Sequence, residues 1–133
     1  MTVFGGASTA AATDDCPCGS GSRYAACCEP LHADTRPART ALQLMRSRYA
    51  AFVLGDTAYL ARTWHPRTRP TDLDVGSSPV WRRLTVVATA DGGEDDSVGE
   101  VEFEATHDGG VLHERSRFVR RAGRWVYVDG ELI

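Results

Sequence analysis

Residues 98–129 read VGEVEFEATHDGGVLHERSRFVRRAGRWVYVD, and the period of this stretch decides the fold class. Val101, Phe103 and Ala105 alternate with Glu100, Glu102 and Glu104, the period of two expected of a strand with one buried face. Asp108-Gly109-Gly110 is a hairpin signal. Val111–Arg121 forms the next strand, Ala122-Gly123 turns, and Arg124–Asp129 returns. Upstream, Trp81–Ala90 (WRRLTVVATA) reads as a further strand, joined to Val98 by an acidic, glycine-rich turn.

The pattern changes before Trp81. A helix is predicted over Thr40–Leu54, with Leu42, Met45, Tyr49, Phe52 and Val53 at helical spacing and Gly55 as its stop. Asp56 caps a second helix from Thr57 to about Thr63, with Tyr59 and Leu60 inward. Residues 66–80 hold Pro66, Pro70 and Pro79 and read as an irregular loop. Two helices followed by an antiparallel meander make an α+β domain, its helices covering one face of a curved sheet.

The chain has 133 residues, 42% hydrophobic and 25% charged, which suits one domain with a small appendage. No apolar run approaches the roughly 20 residues of a membrane span. The formal charge of −3 gives no general basic field for nucleic acid. All 15 basic residues are arginine, so lysine nucleophiles and Schiff bases are excluded. Residues 1–15 lack the basic start and apolar stretch of a signal peptide and read as a disordered lead-in. The expected compartment is the cytoplasm, where thiols stay reduced.

All four cysteines fall in Cys16-Pro-Cys18-Gly-Ser-Gly-Ser-Arg-Tyr-Ala-Ala-Cys27-Cys28. Disulfides within either doublet would close a strained ring. Four thiolates meeting at one tetrahedral ion need two pairs and a turn between them. Gly19 and Gly21 supply the turn, and Ser22 is placed to cap a short helix presenting Cys27 and Cys28. Tyr24 would cover the ion. A closed sphere of Cys16, Cys18, Cys27 and Cys28 is the pattern of a structural zinc site, with iron as the alternative metal. His32 is a substitute ligand ranked behind Cys28. Pro30 and Pro37 bracket a linker.

The cysteine segment resembles the SEC-C motif, the small zinc-binding segment at the C-terminus of the SecA translocation ATPase. Together with LMRSRYAAFVLGDTAYLARTWHP, GEVEFEA and LHERSRFVRRAGRWVYVDGE, it resembles the YchJ family of small bacterial proteins over residues 16–133. That resemblance implies a cystatin-like domain of the nuclear transport factor 2 type: helices in the hollow of a strongly bent antiparallel sheet. The expected organisation is a lead-in over residues 1–15, a metal segment over 16–32 and the α+β domain over 38–133. The family implies a fold and a metal site but no reaction.

Two functions follow as expectations. The first is a zinc-binding interaction or adapter protein with a protein partner, in which the metal segment either docks that partner or staples the chain. The outer face of the bent sheet offers a surface for a second copy. The second is a small enzyme or ligand binder using the hollow, with His113, Arg115, Asp129 and His65 as candidates beside Trp64, Glu114, Arg117 and Tyr127. His113, Arg115 and Arg117 share one strand face, and Glu114, Ser116 and Phe118 share the other; the register is open at this stage. If His113 and Arg115 face inward near Asp129, they make an acid/base pair beside an anion-binding arginine. Ion pairing of Glu114 or Glu102 with strand arginines across an exposed face is the favoured alternative. Arg46 and Arg48 are expected in solvent, and Trp64, Trp81 and Trp125 in the core. His65-Pro66 is expected to end the second helix.

Overall fold

A computed structural model describes residues 14–133; the lead-in expected over residues 1–15 lies largely outside the described residues. Three helices, α1 (Glu29–His32), α2 (Ala41–Leu54) and α3 (Thr57–Arg62), precede four strands. These are β1 (Trp81–Asp91), β2 (Val98–His107), β3 (Gly110–Arg121) and β4 (Arg124–Leu132). The strands form one antiparallel sheet in the order β1-β2-β3-β4, the expected meander. Among the described residues no helix is long and apolar enough to cross a membrane.

The helix boundaries follow local chemistry. The Thr40 side chain accepts from the Gln43 amide, and the Asp56 side chain accepts from the Tyr59 amide, so each helix starts on a polar cap. Gly55 ends α2 at φ 75°, a conformation that suits glycine. One expectation fails here. The segment between Pro30 and Pro37 is not wholly linker, because α1 forms one helical turn with Pro30 near its start. A proline there gives up only an amide that has no helical partner, and the turn buries Leu31 in the core.

The sheet places Val101, Phe103 and Ala105 of β2 inward, as the alternation requires. β3 pairs with it so that Ser116 faces Val101 and Glu114 faces Phe103. Ser116 and Phe118 are buried with them. A close approach needs glycine at the first hairpin. A Cβ on Gly99 would lie 2.5 Å from the Gly92 Cα, and one on Gly92 would lie 2.8 Å from the Ala41 Cβ. There the Ala41 amide donates to the Gly92 carbonyl and ties the start of α2 to the sheet. The Arg120 guanidinium ties the acidic turn down by donating to the carbonyls of Asp96, Glu94 and Gly93.

Helix α2 is buried on several sides. Leu44, Met45 and Tyr49 join the main core with Phe118 and Trp125, while Ala50 packs against the cysteines. Toward α3, the Tyr59 hydroxyl bonds the Ser47 hydroxyl at 2.7 Å, and Ser47 donates on to the Leu44 carbonyl. Arg48 departs from expectation. It is buried, with only 6% of its surface exposed. Its Nη1 donates to the Leu60 carbonyl and to Thr63 Oγ1, so the side chain caps the end of α3 instead of reaching solvent.

Candidate metal centre and the hollow of the sheet

The cysteine segment begins as a two-stranded turn. The Cys16 amide donates to the Ser22 carbonyl, and the Tyr24 amide donates to the Asp14 carbonyl. Asp14 and Asp15, grouped with the lead-in by sequence, are thus part of this pairing. Gly19 and Gly21 turn the chain at φ 80° and 87°, the left-handed region that glycine enters without strain. A short 3-10 turn over Tyr24–Ala26 then delivers Cys27 and Cys28. It starts from Arg23 with no side-chain cap, so the cap expected from Ser22 does not form; the Ser22 carbonyl instead accepts from Cys16.

The four sulfurs come together. Cys16, Cys18, Cys27 and Cys28 are all free thiols, and their Sγ atoms lie within 4.8 Å of one another. Cys18 and Cys27 are 3.6 Å apart, and Cys27 and Cys28 3.9 Å. A tetrahedral ion with metal–sulfur bonds of about 2.3 Å sets its sulfurs about 3.8 Å apart. The donor set therefore fits a metal ion in both chemistry and spacing. Cys16, Cys18 and Cys28 are buried and Cys27 is half-buried. The Ser20 hydroxyl lies 3.2 Å from the Cys27 sulfur. Four clustered sulfurs cannot all ionise without a counter-charge. Hydrogen bonds from Cys16 and Cys28 favour a thiolate on Cys18, while bonding to Cys18 pushes Cys16 up to about 12.

His32 stands outside this set. Its Nδ1 lies 2.6 Å from the Tyr24 hydroxyl and its Nε2 2.8 Å from the Ser47 carbonyl. A carbonyl can only accept, so Nε2 carries the proton and Nδ1 accepts from Tyr24. Burial pulls its pKa below the ordinary value. The imidazole is a neutral bridge from the cysteine segment to α2. Arg46 adds a second tie by donating to the Cys18 carbonyl at 2.9 Å, so it too is not simply solvated.

The other sequence candidates separate by strand face. His113 bonds Glu102 at 2.7 Å and Arg115 pairs with the same carboxylate at 3.2 Å. Arg117 pairs with Asp129 at 2.7 Å, across the next register step. These pairs pull the Glu102 and Asp129 carboxyls below their usual range. His113 and Asp129 therefore do not converge, and the cross-strand ladder is the arrangement present. His65 accepts the Arg67 amide at Nδ1, while its own amide donates to the Tyr127 carbonyl. It closes the turn after α3 and is not among the residues lining the hollow against α2.

The inward face of β3 carries the groups that do reach the hollow. Glu114 belongs to it rather than to the ion-pair ladder, accepting from the Ser116 hydroxyl at 2.7 Å and the Tyr127 hydroxyl at 3.2 Å. Glu114, Arg48, Trp64, Trp81 and Tyr127 line a cavity of about 230 Å³ against α2. Of these, Arg48 and Trp81 were not singled out for the hollow by sequence. No periodicity marks a polar residue buried on a central helix. Trp125 is a core residue, as expected, whereas Trp64 and Trp81 are only partly buried.

The class is thus a nuclear-transport-factor-2-like α+β domain carrying a four-cysteine cluster. Residues 40–130 match the description "YchJ, middle NTF2-like domain", and residues 13–30 match the SEC-C motif. The chain belongs to the YchJ family, whose members carry the name UPF0225. It is 53% identical over 121 residues to a UPF0225 protein of Streptomyces coelicolor, covering 91% of this chain and 98% of the relative. A UPF0225 protein of Deinococcus radiodurans is 50% identical, with 86% of each chain covered. A solution structure of a SEC-C motif containing protein from Rhodopseudomonas palustris superposes with a TM-score of 0.75. It is 40% identical, over 86% of this chain and 95% of that one. A crystal structure of a SEC-C motif containing protein from Psychrobacter arcticus gives 0.73 at 29% identity, over 89% and 82%.

Proposed function

We propose that this protein is a cytoplasmic zinc-binding interaction module, in which Cys16, Cys18, Cys27 and Cys28 hold one zinc ion and shape a surface for a protein partner. The observation that carries this reading is the meeting of four free sulfurs at tetrahedral spacing on a segment tied to α2. Cysteine-only sites of this kind are typically closed and structural. Zinc is preferred over iron because such sites most often hold it, although thiolates suit both metals. With the sphere complete, the ion's part is to fix the fold of residues 16–28.

What the segment then presents is polar. Gly19 through Arg23 form an exposed turn. Where the segment joins the domain, a cleft of about 380 Å³ is lined by Arg36, Arg62, Arg69, Arg121 and Arg124, with Asp34 as its one acid. Arg124 already pairs with Asp34, and the surplus of cations suits an acidic protein face. The test has two arms. Metal analysis under reducing conditions should find one zinc per chain, and none in Cys27→Ser. Affinity capture should retain an acidic partner with the native protein and lose it with the metal-loaded Arg36→Glu/Arg121→Glu variant. Absence of stoichiometric metal refutes the first arm, and equal capture by the variant refutes the second.

A further inference from the structure

The hollow between α2 and the sheet has a chemical asymmetry that the metal segment does not use. Its walls are mostly apolar: Met45, Tyr49, Phe52, Phe103, Leu112 and Phe118. Arg48 is the one cation among its lining residues. The Arg48 guanidinium packs against two rings, its Cζ 4.9 Å from the Trp64 centroid and 4.7 Å from that of Tyr127. Both its hydrogen bonds leave from Nη1. Among the described residues no carboxylate lies within ion-pair distance, and the Nε–Nη2 edge has no acceptor. That edge is the planar fork that matches a carboxylate.

Two further donors are idle. The indole Nε1–H groups of Trp64 and Trp81 are buried without a hydrogen-bond partner, and both rings line this cavity. Native proteins leave few buried donors unmet, and each such group asks for an explanation. The three residues that carry these donors, Arg48, Trp64 and Trp81, all line one small, mostly apolar cavity.

We propose that the hollow is a binding site for a small monocarboxylate with an aromatic or branched aliphatic body, its carboxylate seated on the Arg48 fork and the indole N–H groups. Arg48 is the one cation there and the Glu114 carboxylate already stands in the same cavity, so at most one further negative charge is tolerated. Glu114, fixed in the same cavity by Ser116 and Tyr127, repels a second and so disfavours dianions such as phosphate esters. Size sets a limit as well: about 230 Å³ falls below the 300–1,000 Å³ of drug-sized sites, so the body is a single ring or short branched chain. Burial lowers the Arg48 pKa only to about 10, which leaves it charged at neutral pH. Gly130 gives Glu114 its place, since a Cβ there would lie 2.0 Å from Glu114 Oε2.

The indole N–H signals provide a direct readout. Phenylacetate titrated into the metal-loaded full chain should shift the Trp64 and Trp81 indole resonances saturably. The Trp125 indole, which already donates to the Arg39 carbonyl, should stay still. Phenylacetamide, the neutral isostere, should bind at least about tenfold more weakly, because a charge-assisted fork is replaced by neutral contacts. Arg48→Met should lose affinity to the same degree. Because Arg48 also caps α3, that variant can fail to fold. Trp81→Phe then serves in its place, keeping an aromatic ring, removing the indole donor and weakening phenylacetate about threefold to tenfold. Equal binding of acid and amide to the native protein overturns the proposal. So does the absence of any saturable shift with phenylacetate or 4-methylpentanoate up to about 10 mM, beyond the weak millimolar range of small-ligand affinity.

Discussion

Residues 14–32 and residues 40–133 hold their shape by different means. The larger part has a core of its own, with Leu44, Leu60, Val101, Phe118 and Trp125 all at or below 2% exposure. The smaller part buries Cys16, Cys18, Cys28 and Tyr24, and must borrow Ala50 from α2 to complete its cluster. A segment this short cannot bury enough apolar surface to offset its ordering entropy. Bonds from sulfur to a metal are the usual substitute, contributing about 10–16 kcal/mol in small zinc peptides. The difference teaches that one chain can join a region held by packing to a region whose buried groups are four sulfurs spaced for coordination. The joint between them includes a short hydrogen-bonded path, Tyr24 to His32 to Ser47, beside the Arg46 bond to the Cys18 carbonyl and Leu31 in the main core.

The sharpest way to break this contrast is to remove the metal. Chelation, or Cys18→Ser, should release one ion per chain and collapse amide protection over residues 14–28. Protection in β2 and β3 should survive, and its simultaneous loss in hydrogen exchange would show that the two parts are one cooperative unit. The reciprocal experiment is Phe118→Ala. Emptying that site should cost about 3–5 kcal/mol in urea unfolding, and lower the stability of β1–β4 as a unit.

Smaller changes sharpen the joint. Tyr24→Phe removes one hydroxyl bond to His32 and should cost about 0.5–1.5 kcal/mol. Thermal unfolding should show that loss in the metal-loaded protein and not after chelation, when the segment is already loose. Proton titration acts on the same residue. The folded His32 pKa is lowered, so the unfolded chain takes up its proton first as pH falls. Its contribution is therefore complete above the unfolded value of about 6.5 and is lost as pH drops below that toward the folded value. The imidazole resonances should titrate below 6.5, and a value at or above it would remove the neutral bridge. The smallest effect belongs to the exposed ladder. Glu102→Gln should lower stability at neutral pH only slightly, and by that same small amount should flatten the loss on acidification below about pH 4.5, where the unfolded carboxyl takes up its proton first.

Some of this was legible residue by residue. The alternation from Val98 to Ala105 placed β2 and its inward face, and glycines at 19, 21 and 55 marked turns that require positive φ. Thr40 and Asp56 marked helix starts by side-chain chemistry that acts within three residues. The cysteine spacing announced a cluster of sulfurs for the same reason, because its members lie close along the chain. Local signals of this kind survive in sequence.

Other features needed the third dimension. The face on which Glu114 lies depends on strand register, and a one-residue slip would exchange it with His113 and Arg115. Arg48 looks like a surface residue until α3 folds back to offer it the Leu60 carbonyl, twelve residues away. Helix α2 shows no single apolar stripe because the sheet, α3 and the cysteine segment each claim a side of it. The sequence alone determined the elements, the turns and the gathering of sulfurs, since each rests on neighbours a few residues apart. Which side chains meet across the hollow, and that His32 bridges Tyr24 to Ser47 outside the sulfur cluster, only the tertiary structure decided. Those contacts join residues that chain proximity does not bring together, and their energies exist only once the sheet has closed over the helices.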